Sequence, residues 1–231
     1  MDFFRGFSNK TNTYTQKIKS SSFIEGEVSL TNEETTPEYS SLHELMLKMN
    51  DIEYNALEPN QKQPYVKQTM ISLASCVSLG NINPKVLSKE TIEKGLVGEG
   101  YLSSILYLNE LWKVHCVIEN KETGILYQTC LKPYSPMVFQ YHKGKWYEST
   151  QIVNENTQFG DFSDLHTIFT MDVSTMDIYI SPLKNIQSYK VKDLEEMAIG
   201  LKLSLQYPDG KKKRKQALYD EIKIVKLKQD I

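Results

Sequence analysis

Residues 112–153 read WKVHCVIENKETGILYQTCLKPYSPMVFQYHKGKWYESTQIV, and their texture decides the fold class. Trp112, Val114, Cys116 and Ile118 alternate with Lys113, His115 and Glu119. That is the period of two of a strand whose successive side chains point to opposite faces. Residues 120–124 carry turn chemistry, and 125–132 return as a partner strand. Pro133 and Pro136 interrupt the run before a third strand at 137–142, and Lys143-Gly144 turns the chain into a fourth at 145–153. The pattern predicts a four-strand meander. Beyond it, strands are predicted at 165–171, 177–181 and 201–207, with one helix over 191–199 between them. Pro208-Asp209-Gly210 is a strong turn, after which 217–227 is predicted to return as a strand with Ile222, Ile224 and Leu227 facing inward.

Upstream the periodicity changes to that of helices. Ser41-Leu42-His43-Glu44 fits a capping box, and Leu42, Leu45, Met46, Met49 and Ile52 follow as one apolar stripe. A second helix is predicted over 64–79, opened by Pro64, closed by Gly80 and lined by Val66, Met70, Leu73 and Val77. Ser88 caps a short helix over 89–94, and Gly95, Gly98 and Gly100 then break regular structure. The fold class read from this is α+β: a helical N-terminal third packed on a mostly antiparallel β-sheet. Residues 1–40, rich in Ser, Thr, Asn and Glu, read as a flexible acidic arm. Residues 41–231 read as one α+β domain, helical over 41–111 and β-rich over 112–231. The arm carries an apolar tip of Phe3, Phe4 and Phe7, suited to docking on a neighbour or tucking into the chain's own core.

The chain has 231 residues, 27 basic and 29 acidic side chains, and a formal charge of −2. That excludes a uniformly basic nucleic-acid coat. Three cysteines without paired spacing exclude a disulfide scaffold and fit a reducing, intracellular compartment, cytoplasm or nucleus. No apolar run is long enough to span a membrane, and MDFFRGFSNK lacks the apolar stretch of a secretory signal. The small total conceals two poles. Residues 25–58 hold nine acids against Lys48, a net of −8, and residues 211–231 hold eight bases against three acids, a net of +5. Such poles pair internally, order copies head to tail, or address two partners.

Enzyme chemistry finds little support. Gly95, Gly98 and Gly100 make G-x-x-G-x-G without the lysine and hydroxyl of a phosphate-binding loop, so a structural glycine loop is expected. His115 and Cys116 are strand neighbours on opposite faces and cannot form a dyad with each other. Cys76, Cys116 and Cys130 include no C-x-x-C, and the four histidines are scattered, so no metal site and no cofactor are predicted. A catalytic site would have to be assembled from His115, His142, His166 or Cys130. The expectation is a protein that is not an enzyme.

Two linear signals remain. Lys211, Lys212, Lys213, Arg214 and Lys215 form a concentrated positive patch at a turn. It suits phosphates, an anionic membrane surface or an import receptor, and it resembles a monopartite nuclear-localisation signal. Equally, a lysine-rich hairpin tip keeps an edge strand soluble. If the patch meets nucleic acid, Phe139, Tyr141, Trp146 and Tyr147 are candidate stacking platforms, although aromatics in strands commonly serve as core or cross-strand pairs. The second signal, Pro37, Glu38, Tyr39 and Leu42 within TPEYSSL, presents an aromatic from a proline-stiffened segment, the form in which small recognition domains bind peptides.

Met1-Asp2-Phe3-Phe4-Arg5, Pro37-Glu38-Tyr39 and Leu42-His43-Glu44-Leu45 are similar in content and spacing to the N-terminal region of rhabdovirus matrix proteins, the lyssavirus type above all. The resemblance is confined to residues 1–45. It implies a late-budding motif at Pro37-Glu38-Tyr39, here preceded by Thr36 instead of a second proline, and Tyr39-Ser40-Ser41-Leu42 matches the Y-x-x-L pattern of some budding motifs. It further implies a matrix-type virion component; joined to the basic patch, the expectation is a protein that self-associates and meets membrane or nucleoprotein through Lys211–Lys215. A phage connector or capsid accessory protein, and a nuclear-targeted or nucleic-acid-associated regulator, fit the same residues.

Overall fold

The computed structural model describes Tyr39 and residues 41–229. Phe3, Phe4, Phe7, Pro37, Glu38 and the rest of the predicted arm lie outside the described residues. Helix α1 (Leu42–Asn50) begins where Ser41 Oγ accepts the Glu44 N–H at 3.2 Å, as the sequence predicts. The Glu44 carboxylate is buried, accepting from Tyr54 Oη at 3.0 Å and Gln63 Nε2 at 2.8 Å. Asp51 ends α1 and caps the short α2 (Ile52–Ala56). The next helix, α3 (Pro59–Ser75), starts five residues earlier than predicted. Pro59 occupies its first turn and Gln61 Oε1 accepts the Glu58 N–H, while Pro64 sits inside at the loss of one intrahelical bond. Val66, Met70 and Leu73 form its buried face.

Ser88 Oγ accepts the Thr91 N–H and opens α4 (Lys89–Val97). Then comes α5 (Leu102–Trp112), which the sequence reading missed. Leu102 to Asn109 are all buried, so this central helix is enclosed on every side and shows no amphipathic stripe.

Strands β1 (Val114–Asn120), β2 (Ile125–Gln128), β3 (Ser135–His142) and β4 (Lys145–Glu148) form a mixed sheet of order β2-β1-β3-β4. The strands stand close to where they are predicted, but they are not a meander, because β1 and β3 run parallel. The β1–β2 hairpin returns the chain to the start of β1, where Thr129 Oγ1 donates to the Cys116 carbonyl at 2.5 Å. From there residues 129–134 reach the other edge of β1, so β3 begins level with it, Val114 opposite Ser135. No crossover helix is needed, because β2 has already brought the chain back. Lys143 (φ 48°) and Gly144 (φ 79°) supply the two left-handed positions of the β3–β4 turn.

Val114, Cys116, Ile118, Tyr127, Phe139 and Trp146 join the helices in the main core. The predicted strands beyond it are mostly something else. Residues 162–167 form a 3-10 helix, and 177–181 contribute one bridge, Tyr179 to Ile82. The 201–207 segment pairs only through Gln206 and Lys212. The predicted strand at 217–227 is α7 (Lys215–Gln229). Its buried residues are Leu218, Ile222 and Leu227, whereas Ile224 is exposed, so the true period is helical. With α6 (Val191–Gly200) it encloses a second small core of Leu183, Leu194, Ala198, Leu218 and Ile222. The fold class is α+β, as predicted.

Candidate functional site

The basic run forms one limb of a hairpin on this second core. Tyr207 N–H donates to the Lys211 carbonyl at 2.8 Å and Lys213 N–H to the Leu205 carbonyl at 2.9 Å, while Gly210 (φ 81°) makes the turn. Three of the five bases already hold an acid: Lys211 with Asp209 at 3.0 Å, Lys212 with Glu195 at 2.7 Å and Lys213 with Glu221 at 2.6 Å. The Lys211 hydrogen bonds hold the Asp209 carboxyl below its usual range. Lys213 is the structural member, its side chain only 10% exposed, while the Lys211 and Lys212 side chains are 82% and 66% exposed. Arg214 is exposed, and Lys215 is the first residue of α7. An import receptor that reads an extended basic peptide would have to open this limb and its helix.

The patch is part of something larger. Residues 183–229, the whole second-core module, contain twelve Lys or Arg against six Asp or Glu, a net of +6. Helix α7 ties the module to the body through Leu227, which enters the main core, and through a Lys223–Asp177 ion pair.

The predicted peptide motif is placed differently. Tyr39 forms an antiparallel bridge on the free edge of β4, its N–H donating to the Trp146 carbonyl at 2.9 Å and its carbonyl accepting at 3.2 Å. Its phenol donates to Glu148 at 3.3 Å, and Lys48 Nζ lies 5.1 Å from its ring centroid. Leu42 is buried in α1. As folded, then, the chain does not offer Tyr39 and Leu42 together as a free Y-x-x-L peptide. Of the predicted stacking platforms, Phe139 and Trp146 are buried in the main core and Tyr141 packs on Trp146 with centroids 5.0 Å apart, while Tyr147 is half-buried and outside that core.

Among the described residues, no hydrogen bond joins any two of His115, His142, His166 and Cys130. His115 Nε2 and His142 Nδ1 are buried without a partner, the His115 ring lies 6.3 Å from Phe159, and the exposed His166 contacts the Ser163 carbonyl. Burial lowers the His115 pKa to about 4. Cys130 Sγ lies 3.5 Å from the Tyr179 hydroxyl, and burial pushes its thiol up, the wrong direction for a nucleophile. No group of three or more metal-ligating side chains occurs among the described residues. Gly95 does not break regular structure as predicted: it lies inside α4, where a Cβ would run into Ser103 of the packed α5, and only Gly98 and Gly100 fall in the loop that follows.

Three arrangements had no signal in the sequence. His43 Nε2 lies 2.7 Å from Ser104 Oγ, a pair separated by 61 residues. Ser104 Oγ donates its one proton to the Tyr101 carbonyl at 2.9 Å. With that bond made, His43 Nε2 is the donor to Ser104, the opposite of a base activating a nucleophile. The second is an ionic network in which the Glu110 carboxylate accepts from Tyr134 Oη at 2.8 Å and from Lys113 at 2.5 Å. It also holds the buried Lys132 at 3.2 Å, and Lys132 Nζ lies 4.4 Å from the Tyr179 ring centroid. Lys132, Tyr179 and Leu227 line a cleft of about 240 Å3. The third is a cleft of about 200 Å3 bordered by His43, Tyr101, Trp146 and Phe169. No helix among the described residues is long and apolar enough to cross a membrane. Compared with protein-family models, with curated proteins and with solved structures, the chain matches none.

Proposed function

We propose that the chain is a non-enzymatic assembly protein whose 183–229 module grips the phosphate backbone of a nucleic acid or nucleoprotein, the role of a matrix-type virion component. The observation that carries this reading is the module's net charge of +6 on a chain of net −2. Cations that replace the counterions of a nucleic acid bind it without sequence preference and with steep salt dependence. Lys211, Lys212, Arg214 and Lys215 are the contacts of choice, since Lys213 is mostly buried against Glu221, whereas the ion pairs of Lys211 and Lys212 are solvent-exposed on the lysine side. A second reading, an anionic membrane surface, is favoured by the exposed apolar residues Val191, Ile199, Tyr207 and Ile224 of the same module.

The test titrates the full chain against labelled single-stranded and duplex oligonucleotides, and against vesicles with and without phosphatidylserine, over a range of salt. Oligonucleotide binding that weakens steeply with salt is expected. Combining Lys211→Gln, Lys212→Gln, Arg214→Gln and Lys215→Gln is expected to weaken it at least about tenfold and to reduce the salt slope by about three to four. Binding to the anionic vesicles alone would replace this reading with the second. Binding to neither would end both.

A further inference from the structure

The cleft of about 200 Å3 is lined by Tyr101, Trp146, Phe169, His43, Ile105 and Glu99. Its walls come from separate parts of the chain that are tied together. Thr170 N–H donates to the Gly100 carbonyl at 2.7 Å and Leu102 N–H to the Thr170 carbonyl at 3.2 Å, which pins the Phe169 segment to the loop before α5. The Tyr39 bridge and the β3–β4 hairpin fix Trp146, whose ring lies 5.7 Å from that of Phe169. Three aromatic residues thus border one small cleft, Trp146 and Phe169 mostly buried and Tyr101 half-buried, with the exposed Glu99 also among its lining.

The residues that line the cleft include one acid, Glu99, and one neutral imidazole, His43. None of the residues that line it is a lysine or arginine. His43, the one residue that could become cationic, is fully buried and held neutral, its pKa lowered by burial to about 4. Lys94 Nζ lies 5.1 Å from the centroid of the lining Tyr101, and Lys48 Nζ 5.1 Å from that of Tyr39, so these rings attract ammonium groups and a bound cation would compete with Lys94 for Tyr101. By contrast, the cleft beside Lys132 has a lining cation that Glu110 already balances, so it selects no charge.

We propose that the cleft bounded by Tyr101, Trp146, Phe169 and Glu99 binds a trimethylammonium group, as carried by choline or a trimethylated lysine. Ring faces attract a cation through their quadrupoles, and a quaternary ammonium sheds water more readily than a lysine ammonium, so apolar walls suit it. The Glu99 carboxylate adds long-range attraction, and the volume fits a small head group. This site is separate from the basic module, and its test does not depend on polyanion binding.

The chain has two tryptophans, so Trp112→Phe leaves Trp146 as the reporter of this cleft. Choline and Nε-trimethyl-lysine, at matched ionic strength, are titrated beside 3,3-dimethylbutan-1-ol, the uncharged isostere of choline. A saturable change in Trp146 emission is expected with the cations, and binding about tenfold weaker with the isostere. A response to only one of the two cations also supports the site and names its source. Glu99→Gln is expected to weaken binding about three- to tenfold, and Tyr101→Leu more. Amide shifts of Gly100 and Tyr101 in the unsubstituted chain provide a second readout. Equal affinity for the isostere, no saturable response, or no effect of either variant would overturn the proposal.

Discussion

Replacing Glu110 by alanine is expected to destabilise the protein by about 3–5 kcal/mol, whereas Lys132→Met is expected to change stability by no more than about 1–2 kcal/mol. The asymmetry follows from which charge each change strands. The Glu110 side chain is 12% exposed and that of Lys132 only 2%, with 3.2 Å between them. Without the carboxylate, the Lys132 ammonium stays out of water with only ring faces for company, those of Tyr179 and Tyr134 at 4.4 and 5.7 Å. Without the ammonium, the carboxylate keeps the Tyr134 hydroxyl and the largely exposed Lys113. Burial alone would raise the Glu110 pKa. The Lys113 and Tyr134 hydrogen bonds and the Lys132 charge outweigh it and hold the carboxyl below its usual range. Its folded pKa lies below its unfolded one, so its contribution is complete above the unfolded pKa near 4.5 and is lost as pH falls through the lower, folded value. Urea midpoints of the two variants at neutral pH measure the asymmetry, and equal losses would refute this account.

What was legible in the sequence depended on how local its cause was. Ser41 and Ser88 announce α1 and α4 because a cap and its helix lie within four residues of each other. The Lys143-Gly144 turn is equally local. Helix α5 is silent because a helix buried on every side has no stripe, and its polar residues Ser103, Ser104 and Asn109 look like breaks in a pattern when they are buried partners. The parallel pairing of β1 with β3 was hidden because strand direction depends on which edge of β1 is vacant, not on the residues of β3. In α7 a chance alternation at Ile222 and Ile224 imitated a strand, although Leu218 and Ile222 carried the true spacing. The site divides in the same way. The charge of the C-terminal module can be counted from the sequence, but the internal acids that hold Lys211, Lys212 and Lys213 include Glu195, on a different helix. The aromatic cleft draws on residues 43, 99–101, 146 and 169, which only the fold brings together.

Below pH 6.5 the protein is expected to lose stability steadily, and His43 is expected to account for about 3 kcal/mol of that loss by pH 4. The ring is buried between α1 and α5, lies 2.7 Å from Ser104 Oγ and, among the described residues, is hydrogen-bonded to no carboxylate that would stabilise a proton. Burial therefore lowers its pKa from 6.5 to about 4. The unfolded chain takes up a proton near pH 6.5 while the folded one refuses it. The contribution is complete above 6.5 and disappears progressively down to about 4. His115, also lowered to about 4 by burial, acts in the same direction, but it is partly exposed and its share is smaller. The Glu110 loss begins only lower, near pH 4.5, so the first part of the acid transition belongs to the histidines. His43→Gln keeps a donor near Ser104 but cannot titrate. It is expected to be modestly less stable at neutral pH, to flatten the slope of stability between pH 6.5 and 4, and to leave a residual slope that His115→Gln then reduces. Urea unfolding of the three proteins across that range measures the slopes. If His43→Gln retains the full slope, the buried imidazole is not what makes the fold acid-sensitive.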